Sequence, residues 1–143
     1  MNEIEIKKAY ERELKFYESM FNITMEQERA IQSKDLRKLL SLISQKKEII
    51  EKITKMEKEL LPFKERWKDL KNSSLREKVS PIMGKIATLL GKMLVQEKRN
   101  ELLLKSHIED TAKDLKKIQM GKNLYKAYQA FPENTPYFMN QKR

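Results

Sequence analysis

Apolar side chains recur at steps of three and four along most of this chain, the spacing of one face of an α-helix. Ile6, Tyr10, Leu14, Tyr17, Phe21, Thr24 and Ile31, with Glu28 in the remaining gap, share a stripe that predicts a helix from about Asn2 to Ile31. No Gly or Pro interrupts it. A break follows at Gln32-Ser33-Lys34-Asp35, where Ser33 or Asp35 can accept the free backbone N–H groups of a new helix.

The second helix has a wider apolar face. Leu36, Ile43 and Ile50 make one line, Leu39, Ile53 and Leu60 a second, and Leu42, Ile49, Met56 and Phe63 a third. Three adjacent lines predict a helix touching two neighbours, as in a bundle. Pro62 should kink or stop it, and Asn72-Ser73-Ser74 reads as a loop.

Ser80-Pro81 suggests a cap with Pro at the first position of a third long helix, which Gly121 would end. One ladder runs Met83, Ala87, Leu90, Leu94, then Leu104, Ile108, Thr111, Leu115 and Ile118; another runs Ile82, Ile86, Leu89, Met93, then Leu103. Both stop at Gln96-Glu97-Lys98-Arg99-Asn100-Glu101. Six consecutive polar residues cannot all face outward on a helix. Either some line a polar layer in the core, or the stretch extends past its partner helices.

The last 22 residues differ from the rest. Tyr125, Tyr128, Phe131, Tyr137 and Phe138 gather there with Pro132 and Pro136, and Leu124, Tyr128 and Phe131 suit a short amphipathic helix. The organisation read here is a helical bundle over residues 1–121 and an aromatic-rich C-terminal segment over 122–143. The fold class is all-α: an elongated antiparallel bundle of three long helices plus a short C-terminal helix or tail.

Composition narrows the chemistry. The chain has 143 residues, 3 Gly, no Cys and one His. So few glycines argue against a turn-rich all-β fold. Without Cys there is no disulfide framework, thiolate zinc site or catalytic thiol. One His leaves no multi-His metal site; His107 has Leu104, not Glu, three residues before it, so the Glu-x-x-His motif of di-iron bundles is absent. There is no phosphate loop and no nucleophile elbow. The expectation is a non-enzyme without cofactor, metal or catalytic residues. The N-terminus lacks an apolar signal core and no apolar run approaches the roughly 18 residues of a membrane span, so a cytoplasmic protein is expected.

The net charge is +10. It runs from −2 over residues 1–31 to +5 over 32–72, +4 over 73–121 and +3 over 122–143, with mixed signs throughout, as on solvated helix faces. Lys outnumbers Arg 24 to 7 and no recognition helix is visible, so nucleic acid is not an expected partner. Met20, Met56, Met83 and Met93 fall on apolar lines and read as core residues. Gly84 and Gly91 share an angular position, which either marks close approach by another helix or leaves the helix locally loose.

Three stretches carry a family resemblance. Glu26-Gln27-Glu28-Arg29-Ala30-Ile31, then Asp35-Leu36-Arg37-Lys38-Leu39-Leu40 and Lys46-Lys47-Glu48-Ile49-Ile50, form an acidic helix end, a break, an Asp and a leucine pair. Asn100-Glu101-Leu102-Leu103-Leu104, with Ser106 and Ile108, forms an Asn-then-leucine run. Tyr125-Lys126-Ala127-Tyr128, leading to Phe138-Met139-Asn140, forms a tyrosine-containing tail. Together they resemble the FlgN-like flagellar type III export chaperones. Glu97 stands where that family often has another Asn, and the tail lacks its glycines.

The resemblance implies a cytoplasmic export chaperone for hook–filament junction (hook-associated) proteins. It would prevent their premature assembly and deliver them to an export gate protein, meeting the membrane only indirectly through the export apparatus. Tyr125 best matches the tyrosine that docks on the gate. From their place on the last helix and tail, the expected client contacts are Leu104, Ile108, Leu115, Ile118, Leu124, Tyr128 and Phe131. A generic helical adaptor or coiled-coil scaffold is the alternative reading.

Overall fold

The computed structural model describes residues 1–71, 73–110 and 123–126. Helix α1 spans Glu3–Gln32, α2 spans Leu36–Glu65, a short 3₁₀ turn covers Trp67–Leu70, and α3 spans Ser74–Asp110. A further helical turn lies at 123–126. The architecture is the expected all-α bundle of three long helices and a short one.

Local chemistry sets the boundaries. Asn2 caps α1, its Oδ1 accepting the Glu5 N–H at 2.8 Å. At the other end Lys34 takes the left-handed conformation, φ 58°. The Asp35 N–H then reaches Ala30 O and the Lys34 N–H reaches Ile31 O, the paired bonds of a Schellman ending. Asp35 immediately starts α2, its Oδ1 accepting the Lys38 N–H at 3.0 Å. Three residues thus reverse the chain, and α2 runs back along α1.

Both prolines sit differently from expectation. Pro62 lies inside α2, which continues to Glu65 before the 3₁₀ turn. The missing N–H leaves one bond unmade near a helix end, where its loss costs least. Pro81 does not open the third helix either: α3 begins seven residues earlier, at Ser74, and the Ser73 Oγ accepts the Arg76 N–H at 3.1 Å.

The bundle runs up, down and up. Tyr10 of α1, Phe63 of α2 and Val79 of α3 share one apolar cluster at one end, while Thr24 and Asn100 meet far along α1 and α3. The broad second-helix face predicts that α2 touches two neighbours, and it meets α1 closely and α3 through side chains such as Lys46 to Glu97. The closest packing is that of α1 on both others, and among the described residues no α2 Cα comes within 8 Å of an α3 Cα. Long side chains bridge that gap. Accordingly α1 buries Ala9, Glu13, Met20, Gln27 and Ala30 as well as its predicted stripe, and Leu14, Phe21 and Glu28 move to the edge.

The core divides into two apolar clusters. The lower holds Ile6, Ala9, Tyr10, Met56, Leu60, Phe63, Leu75 and Val79. Rings seal its end: Tyr10 and Phe63 meet edge-on at 5.8 Å, Phe63 and Trp67 at 5.5 Å, and the Arg76 guanidinium lies 4.5 Å over Trp67 while donating to Trp67 O. The upper cluster runs from Tyr17 and Met20 through Leu42, Ile53, Ile86 and Met93 to Leu104 and Leu124. Met20, Met56 and Met93 are core residues, and Met83 packs half-buried against the lower cluster. Gly84 and Gly91 are exposed with open space around them, so no helix among the described residues explains them.

Candidate functional site

The polar interruption Gln96–Glu101 lies inside the bundle. Glu97 and Asn100 are buried, and each draws a partner from another helix. The Lys46 ammonium of α2 pairs with the Glu97 carboxylate. The Asn100 Nδ2 donates to Thr24 O of α1 at 2.8 Å. The Gln96 Nε2 donates to Glu28 Oε1 at 3.0 Å and to Asn100 Oδ1 at 2.8 Å, and Arg99 also pairs with Glu28. Six residues too polar for an apolar core thus place a hydrogen-bonded layer across all three helices.

The layer is incompletely satisfied. Gln27 is wholly buried, yet neither its Oε1 nor its Nε2 has a hydrogen-bond partner, and Glu97 Oε2 has none. Burial pushes the Lys46 ammonium below its ordinary pKa, and the Glu97 charge and hydrogen bond push it back up.

A second group of buried polar side chains lies where the two apolar clusters meet. It contains Glu13, Glu57, Tyr10 and Tyr17, with Lys64 paired to Glu57. Burial, reinforced by the nearby Glu13 carboxylate, holds the phenols of Tyr10 and Tyr17 well above the usual tyrosine range. Burial lowers Lys64, and Glu13 opposes that shift.

Above the Lys46–Glu97 layer the structure gathers four of the residues expected to make contacts. Leu104 and Leu124 are 3% and 2% exposed in the upper cluster, and Ile108 and Tyr125 pack half-buried against it. The Tyr125 hydroxyl donates to Glu101 Oε1 at 3.2 Å, four residues beyond Glu97 on α3. Desolvation and that carboxylate raise the phenol's pKa. Leu115, Ile118, Tyr128 and Phe131 lie outside the described residues, as does the proposed boundary at 121/122. Sequence reading missed Gln27 and Glu13, because a hydrophobic pattern cannot flag a buried polar group; Gln27 and Glu13 do hold the helical spacing of a second, parallel stripe with Met20.

Among the described residues, no group of three or more His, Asp or Glu is placed to hold a metal ion, and no helix is long and apolar enough to cross a membrane. A cleft of about 460 Å³ opens at the opposite end of the bundle, lined by Met1, Ile6, Pro62, Phe63 and Leu70 among others. It touches none of the expected contact residues. No protein-family model matches the chain, and neither the curated proteins nor the solved structures provide a match.

Proposed function

We propose that this protein is a non-catalytic cytoplasmic export chaperone. It shields an aggregation-prone helical segment of a hook–filament junction protein, prevents premature assembly, and delivers it to an export gate protein. The client class and the gate come from the FlgN-like resemblance in the sequence. The observation that carries the reading is the meeting of α3's last turns with the turn at 123–126: Leu104, Ile108, Leu124 and Tyr125 share one apolar cluster at one end of the bundle.

An apolar helical stripe covered from within is what a client helix can compete for, each side offering i, i+3, i+4 anchors. Leu104, Ile108, Leu115, Ile118, Leu124, Tyr128 and Phe131 are the client contacts in this reading. Tyr125 is the gate contact, with its hydroxyl at the edge of the cluster. No nucleotide is required, because release follows from the chain's own segment and the client sharing a surface.

The test is affinity capture from an extract of a flagellated bacterium, with captured proteins identified by mass spectrometry. Junction proteins are expected in the eluate of the full chain and lost when residues 122–143 are deleted. Junction proteins absent from the eluate, or retained equally by the deletion variant, would refute it.

A further inference from the structure

We propose that the polar layer is a separation line: α3 beyond Asn100, together with the turn at 123–126, detaches as one unit from the α1–α2 hairpin while the bundle below stays closed. Its use in client capture rests on the chaperone reading; the opening itself does not. It explains how Leu104 and Leu124, sealed in the closed form, become available to an amphipathic client helix.

The apolar content of α3 changes at the layer. Below it Val79, Ile86, Leu90 and Met93 are each at most 2% exposed. Beyond Asn100, Leu104 alone is fully buried, Leu103 and Ile108 are half-buried, and Leu102, Lys105, Ser106, Glu109 and Asp110 face solvent. The far end of α3 thus holds fewer buried apolar side chains than the stretch below the layer, and opening it unseals Leu104 and Leu124. Local opening draws on such poorly buried ends.

The layer also makes the break inexpensive. Here the Gln27 amide and Glu97 Oε2 have no protein partner to give up, so opening breaks no hydrogen bond of theirs. Meanwhile α3 is pinned at the layer: Asn100 to Thr24 O, Gln96 to Glu28 and Arg99 to Glu28. The moving part therefore begins after those bonds.

Hydrogen exchange by mass spectrometry on the full chain, without client, tests this. Amides of residues 101–108 and 124–126 are expected to share one opening rate, about a hundredfold or more faster than those of 79–93. Leu104→Ala should speed exchange in both upper segments about thirtyfold or more and leave 79–93 within about threefold. Equal protection above and below the layer overturns the proposal, as does a smooth gradient inward from Asp110, which is fraying. The native pattern decides the matter if the variant does not fold. Client binding plays no part in this measurement, so its failure and that of the chaperone reading are separable.

Discussion

Lys46 of α2 and Glu97 of α3 meet in the core from positions 51 residues apart, with side chains 1% and 3% exposed. No α2 Cα comes within 8 Å of an α3 Cα, so the ion pair links two helices that meet through side chains. Such a pair says little about net stability, because desolvating two charges offsets their attraction. It does fix how α2 and α3 align.

Removing one partner should therefore hurt more than removing both. Glu97→Leu alone leaves a buried ammonium and is expected to cost about 3–5 kcal/mol; Lys46→Met with Glu97→Leu should be neutral, or stabilising by up to about 4 kcal/mol. Urea melts of the two single variants and the double variant check this. A double variant as unstable as Glu97→Leu would contradict it.

The buried tyrosines predict alkaline sensitivity. Their pKa values are raised in the fold, so between the ordinary value of 10.0 and the folded values the native state holds protons that the unfolded chain has lost. The stability they contribute is complete below pH 10 and falls as pH rises beyond it. Lys46 and Lys64, lowered by burial, act in the opposite sense: their contribution rises with pH up to the unfolded value of 10.5. The difference between the native chain and Tyr10→Phe/Tyr17→Phe isolates the phenols. Denaturant midpoints from pH 8.5 to 11 should fall less steeply in the variant, and equal slopes would contradict the assignment. The Tyr10 hydroxyl has no hydrogen-bond partner, so Tyr10→Phe alone should cost little at neutral pH.

Core and surface positions on α3 should separate cleanly. Met93 is fully buried, and Met93→Ala is expected to cost about 2–5 kcal/mol. Val95, two residues on, is 73% exposed, and Val95→Ala should stay within about 0.5 kcal/mol. Thermal melts followed by circular dichroism decide it.

Arg76 clamps the lower end through its guanidinium over Trp67 and its bond to Trp67 O. Arg76→Ala should lose about 1–2 kcal/mol, and Arg76→Lys should restore only part, since an ammonium lacks the planar face. Trp67 is the only tryptophan, so its fluorescence reports on this contact directly. An emission spectrum unchanged by Arg76→Ala would contradict the stacking.

The helices were legible because burial repeats every three to four residues and Asp35 is chemically suited to cap. The polar interruption at Gln96–Glu101 left two readings open, a core layer or a stretch past the partner helices, and the buried Glu97 and Asn100 decide for the layer. Its partners were not legible: Gln27 and Lys46 read as surface residues on any hydropathy pattern, and only the packing of three helices turns them inward. Pro81 misled because a proline after serine marks a helix start locally, while Ser73, with its own capping hydroxyl, starts the helix a full two turns earlier. Which helix lies at the centre depends on the spacing between axes. The apolar face of α2 is equally wide whether its second neighbour approaches by backbone or by side chain.

The most direct test of the chaperone reading is a calorimetric titration of the full chain with the purified terminal helical segment of a hook–filament junction protein. The account predicts saturable one-to-one binding with a negative heat-capacity change from apolar burial, abolished by deleting residues 122–143. Absence of binding, or binding of equal strength without those residues, would contradict it.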